Sequence, residues 1–264
     1  MIKEVVKSLD PNFVLGIANA LAIDVDWAHQ FECISTKEAD FTVDGSVKKV
    51  EMMHNTYSNY STVKYKKSDN EIGVIIPYAS YNSDGTRVNE SSNTTTDLEF
   101  IAVLPTKDFN TYVSELTKDK LNSLINGFTS LSDKEELHLS LPRFEYDYDW
   151  QNLKSSLSAL GLKEAMSSNP NYSNIIDPNV EKIYVGQAVH KTHISLNEKG
   201  TKAAAITFFG MMTTGIPEEK TKIELNFNKP FIYMIRDKKS GELLFFGVVK
   251  QPNLWKGSTC SSVR

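Results

Sequence analysis

Hydrophobic residues fall into short runs along this chain, and most runs have the length and rhythm of strands. Phe13 to Ile23 is almost continuously apolar, which suits a central strand covered on both faces. Segments 39–43, 47–53, 60–66 and 72–78 read as further short strands, although Val47, Val50 and Met52 alternate imperfectly. Leu98 to Leu104 predicts a buried strand, and Leu137-His-Leu-Ser-Leu141 alternates as a half-buried strand does. Lys182 to Leu196 alternates again. Residues 222–227, 231–236 and 243–249 complete the set, with Asp237-Lys-Lys-Ser-Gly241 as a hairpin turn.

Helical periodicity is rarer. Ile2, Val5, Val6 and Leu9 suit the end of a helix, which Asp10-Pro-Asn12 breaks. Tyr112, Val113, Leu116, Leu121, Leu124 and Ile125 predict helix across 107–128, and Asp149 to Leu160 predicts a short amphipathic helix closed by Gly161. Ser80 to Asp97, rich in Asn, Ser, Thr and Gly, is expected to be a mobile loop. No internal repeat occurs. Many strands with few helices, some strands wholly apolar and others alternating, indicate an α+β fold with more than one sheet.

Composition narrows the function. The chain has 264 residues, 40% hydrophobic and 23% charged, with net charge −4. Nothing in it concentrates positive charge as nucleic acid requires. No run approaches the ~18 apolar residues of a membrane span. The N-terminal Met-Ile-Lys-Glu-Val-Val-Lys is too charged for a secretory signal. Cys33 and Cys260 are too far apart for sequence to pair them, and both are read as thiols. Sequons at Asn59, Asn89, Asn93 and Asn171 permit glycosylation of a secreted chain.

Enzyme motifs are missing: no G-x-S-x-G, G-x-G-x-x-G, phosphate loop or H-E-x-x-H. Of five histidines only His190 and His193 lie close in sequence, and three residues apart on a strand they face opposite ways. They are expected as a hydrogen-bonded interior histidine and an outward one, not as metal ligands. No catalytic residues, metal or cofactor are expected.

One stretch resists an ordinary reading. Glu198-Lys-Gly-Thr-Lys-Ala-Ala-Ala-Ile-Thr207 follows an alternating strand with no cap and leads into Phe208-Phe-Gly-Met-Met212. An Ala-rich run favours helix or linker. Yet these small residues, free of proline, also suit a segment that can slot between two strands. Alternate side chains Thr201, Ala203, Ala205 and Thr207 would then point inward.

Other ordered motifs surround it. They are Phe13-Val-Leu-Gly-Ile-Ala-Asn19, Trp27, Met52-Met53, Leu141-Pro-Arg143-Phe, Leu160-Gly-Leu162, Val189-His190-Lys191, Phe227-Asn-Lys-Pro-Phe231, Phe245-Phe-Gly-Val-Val249 and Pro252. From about residue 13 to 255 the chain resembles the serpins, the loop-insertion protease inhibitors. The resemblance implies sheets A, B and C, few helices and an exposed reactive-centre loop at about 198–221. It implies one incomplete domain over 1–255, without the family's N-terminal helices, and a flexible tail over 256–264.

By the same resemblance Glu198, Gly200, Thr201, Ala203, Ala204, Ala205 and Thr207 form the hinge. The reactive bond falls at Thr214-Gly215, with Met212-Thr213 as the alternative. Asn19 and His190 correspond to a hydrogen-bonded pair beneath the point where sheet A parts. Trp27, Arg143 and Glu198 correspond to the cluster at the top of the sheet, Arg143 and Glu198 as an ion pair steadying the closed state, worth about 0–1 kcal/mol if exposed. The implied activity is suicide inhibition of a serine protease of elastase or subtilisin type, a cysteine protease being the alternative target. The second functional reading is a non-inhibitory or truncated member that binds partners by strand addition. A complete domain is expected to be a monomer and a truncated one to self-associate. The expected compartment is extracellular, with cytoplasm as the alternative.

Overall fold

The computed structural model describes residues 15–58, 62–82, 84, 86, 95–175, 177, 183–201 and 219–253. The expectations for residues 1–9 and 256–264, and for most of 80–97, lie outside these. The fold is α+β: among the described residues there are three sheets and three short helices. The chain divides into two compact units, residues 24–145 with 195–264, and residues 1–23 with 146–194.

The larger unit holds two whole sheets. The first has four strands: β3 (Lys37–Val43), β4 (Ser46–Tyr57), β9 (Glu135–Pro142) and β13 (Thr221–Asn226), in the order β13-β9-β4-β3. The second has six: β5 (Lys64–Lys67), β6 (Glu71–Ala79), β7 (Thr95–Pro105), β8 (Thr129–Ser130), β14 (Phe231–Asp237) and β15 (Leu243–Val249). Their order is β15-β14-β7-β6-β5-β8. The near-continuous apolar runs in β6, β7 and β14 lie at the centre of this sheet and are buried, as their composition requires. A Cβ at Gly247 on β15 would come within 2.4 Å of the Tyr233 ring, so any larger residue there forces that ring to move.

The helix expected over 107–128 is two helices, α1 (Phe109–Ser114) and α2 (Lys118–Asn126). Each begins at its own cap. Asp108 accepts from the Thr111 N–H at 2.8 Å, and Thr117 accepts from the Lys120 N–H at 3.2 Å. The second cap interrupts a periodicity that reads as continuous. Leu124, Ile125 and Phe128 pack on Ile75, Ile101, Val103 and Met234.

In the smaller unit β1 (Leu15–Leu21) pairs in parallel with β11 (Val185–Leu196). Leu15, Met166, Val185 and Ala188 pack with α3 (Leu153–Ala159) through Leu153 and Leu157. Two expectations fail here. Gly16 to Ala20 are exposed, although their apolar run suits a covered strand, and β11 is the one partner of β1 among the described residues. Residues 149 and 150, read as helix, end strand β10 (Phe144–Trp150), which pairs with β11. Its aspartates explain why. Asp149 meets Lys191 at 3.3 Å and Asp147 meets His193 at 2.8 Å, so the alternation of Asp with Tyr and Trp is that of a two-faced strand. His193 is therefore the bonded histidine, with its side chain only 11% exposed, and not an outward one.

Cys33 lies in a 3₁₀ turn (Cys33–Ser35) and is disulfide-bonded, which corrects the thiol read there. Disulfide pairing depends on separation in the fold, about which sequence distance is silent. Cys260, the other cysteine, lies outside the described residues.

Candidate functional site: the anchored base of the 198–221 segment

Four consecutive residues, Glu198 to Thr201, are held by backbone and side chain alike. The Glu198 carbonyl accepts the Phe31 N–H at 2.8 Å, and the Lys199 carbonyl accepts the Trp27 N–H at 2.6 Å. The Gly200 carbonyl accepts the Asn197 N–H at 3.0 Å, closing a tight turn after β11. Gly200–Thr201 then forms a two-residue strand, β12. It lies between the last residues of β11 and the short strand β2 (Val25–Asp26). Thr201 stands opposite Leu196 on one side and Val25 on the other. Only glycine fits at 200, where a Cβ would lie 2.0 Å from the Val25 carbonyl oxygen.

Glu198 is the electrostatic centre. One carboxylate oxygen accepts from Arg143 Nε at 2.7 Å, from Arg143 Nη2 and from the Thr36 hydroxyl. Arg143 sits at the junction of β9 and β10. Its N–H donates to the Glu51 carbonyl at 2.9 Å and its Nη1 to the Glu51 carboxylate at 3.1 Å. Arg143 is 3% and Glu198 6% exposed, so the expected ion pair is a buried one. Burial changes its weight. A surface pair contributes about 0–1 kcal/mol, whereas removing one partner of a buried pair leaves a stranded charge.

Trp27 is the packing centre. It is fully buried, bridges Tyr78 through backbone pairing, and stacks on the Tyr78 ring at 4.8 Å and 8°. Phe31 and Phe100 meet it edge-on, and its indole N–H donates to the Asn197 carbonyl at 2.8 Å. The Tyr78 hydroxyl shares a 2.7 Å hydrogen bond with the Thr201 hydroxyl, and both residues are fully buried. Burial pushes the Tyr78 phenol up, with the Thr201 bond opposing. Burial lowers the Lys199 ammonium from its ordinary value, Asp26 opposing; Lys199 Nζ is buried and has no hydrogen-bond partner among the described residues.

Sequence brought Trp27, Arg143, Glu198, Gly200 and Thr201 forward, and the fold assembles all five. It buries Glu198, Gly200 and Thr201, which the resemblance places in an exposed loop. Ala203, Ala204, Ala205, Thr207, Met212, Thr213, Thr214 and Gly215 lie outside the described residues. Asn19 and His190 are partners in the parallel register of β1 and β11. No hydrogen bond joins their side chains, and Asn19 is exposed. Sequence reading missed Thr36, Glu51, Asn197 and Tyr78. Only Tyr78 left a trace, as a lone hydroxyl ending the apolar run 72–78. Among the described residues no group of three His, Cys, Asp or Glu could hold a metal. The contacts of this cluster hold a segment in place.

The family model described as "Serpin (serine protease inhibitor)" matches residues 1–252. The chain belongs to the serpin family. That is a family of protease inhibitors and not of enzymes. An uncharacterized serpin-like protein of Thermococcus kodakarensis is 27% identical over 95% of this chain and 53% of its own length. Serpin B10 of Papio anubis is 29% identical over 93% of this chain and 56% of its own. The leukocyte elastase inhibitor of Xenopus tropicalis is 28% identical, over 90% and 58%. The chain thus spans little more than half the length of these relatives. Among solved structures, the thermophilic serpin tengpin in its native state superposes with a TM-score of 0.74 at 29% identity, covering 95% of this chain and 59% of tengpin. Human thyroxine-binding globulin shares the fold, with a TM-score of 0.70 at 21% identity. Among the described residues no helix is long and apolar enough to cross a membrane.

Proposed function

We propose that this serpin inhibits a serine protease by cleavage and insertion of the segment that follows Thr201. The observation that carries this is the seat of β12: Gly200–Thr201 lies between the end of β11 and β2, at the head of a run of small side chains. A protease attacks at Thr214-Gly215, or at Met212-Thr213, and forms an acyl-enzyme. The freed segment then enters the sheet as a strand, Ala203, Ala205 and Thr207 pointing inward, before water completes the reaction. A small residue ahead of the bond favours a narrow elastase- or subtilisin-type pocket. The disulfide at Cys33 supports an extracellular setting.

The test is incubation with such proteases, followed by denaturing electrophoresis and N-terminal mapping. The expected result is a detergent-stable complex and a new N-terminus within 211–216. Ala203→Arg would place a charge on the inserting face and convert inhibitor to substrate. Cleavage without complex in both proteins would overturn the reading.

The exposure of β1 favours a second reading, a binding module that adds a strand at that edge. Concentration-dependent self-association in sedimentation would support it.

A further inference from the structure

We propose that Tyr78 is a positioning residue that holds Thr201 in an inserted seat before any cleavage, so that insertion propagates from a strand already begun. The inference rests on the loop-insertion reading for its consequence, but not for its geometry. Thr201 is 0% exposed and has strand partners on both sides, Leu196 and Val25. A segment merely tethered at a sheet end needs neither. Its hydroxyl would be an unpaired polar group in an apolar wall but for the Tyr78 hydroxyl at 2.7 Å. Tyr78 is itself fixed by its stack on Trp27, and Trp27 is fixed by donating to the Asn197 carbonyl through its indole and to the Lys199 carbonyl through its backbone. The chain of contacts closes on the segment it positions. Gly200 lets the backbone pass against Val25, and the Thr201–Tyr78 bond decides that it stays there.

Seating the first residue matters because the costly step in adding a strand is its first pairing. Once one residue is registered, each following residue adds ladder bonds with less loop to close. Loss of the seat therefore slows insertion.

Hydrogen exchange followed by mass spectrometry tests this on the full chain. The Trp27 and Asn197 amides, which donate to Lys199 and Gly200, report whether β12 is seated. Tyr78→Phe keeps the ring stack and removes the hydroxyl; Thr201→Val removes the other partner. Each is expected to speed exchange of these two amides about fivefold, the factor that one net hydrogen bond of about 1 kcal/mol commands. The double variant should be no faster than either single one, Thr201→Ser should restore the parent rate, and amides of β9 and β13 should not change. Unchanged exchange at Trp27 and Asn197, or single effects that add in the double variant, would overturn the proposal. The second readout is the rate of stabilised-complex formation with a protease, expected to fall in Tyr78→Phe and recover in Thr201→Ser. If the parent forms no complex, the inhibitor reading fails while the exchange data still decide the seat.

Discussion

Arg143 Nε lies 2.7 Å from Glu198 Oε1 in an ion pair drawn from positions 55 residues apart and almost sealed from water. Glu198→Ala would leave the guanidinium buried without its nearest carboxylate. The expected loss is about 3–5 kcal/mol of unfolding free energy, measured by urea titration. Replacing both partners together, Arg143→Met with Glu198→Leu, should cost less than Glu198→Ala alone, because no charge is then stranded. A double variant weaker than the single one would contradict this account of the pair.

Gly200 meets the Val25 carbonyl more closely than any side chain allows. Gly200→Ala should displace β12 and lower stability by about 1–3 kcal/mol. The Trp27 amide, whose acceptor is the neighbouring Lys199 carbonyl, should exchange faster. Parent-like exchange at Trp27 would show that β12 is not held as described.

Lys199 carries the opposite expectation. Its ammonium is buried without a hydrogen-bond partner among the described residues, and its pKa is lowered by burial. Lys199→Met should raise the thermal midpoint at neutral pH. The folded state disfavours the charged form, so the destabilisation is fully present below the folded pKa. It fades as pH rises through that value towards the ordinary 10.5. The gain from Lys199→Met should shrink accordingly in alkaline melts.

His54 sets an acid limit. Its ring Nδ1 lies 2.9 Å from the Ser140 hydroxyl, and burial, helped by Lys37, lowers its pKa below the ordinary 6.5. The folded state therefore prefers the neutral ring. Stability from this group is present above pH 6.5 and is lost as pH falls through the folded pKa. His54→Gln should flatten that part of a stability-against-pH curve, read by denaturant midpoints; an unchanged slope would remove His54 as its source.

Much of this architecture was legible in residue patterns. Leu137, Leu139 and Leu141 alternate and are buried on β9; the apolar runs of β6 and β7 lie at the centre of their sheet. Such elements read correctly because each carries its burial in its own periodicity. Asp149-Trp150 misread as helix because the alternation of β10 is in charge and aromatics, paired with Lys191 on another strand. The split of α1 from α2 turned on the single hydroxyl of Thr117.

The sequence by itself determined the class of fold, the strands that build it and the small-residue segment after Glu198. Those follow from local pattern and from ordered motifs. Only the tertiary structure decided that Glu198 to Thr201 are buried and already paired, that Arg143 is shared by Glu198 and Glu51, and that Tyr78 holds Thr201 across 123 residues. A hydrogen bond or ion pair between distant residues depends on where two strands end in space, and no periodicity within either strand encodes that distance.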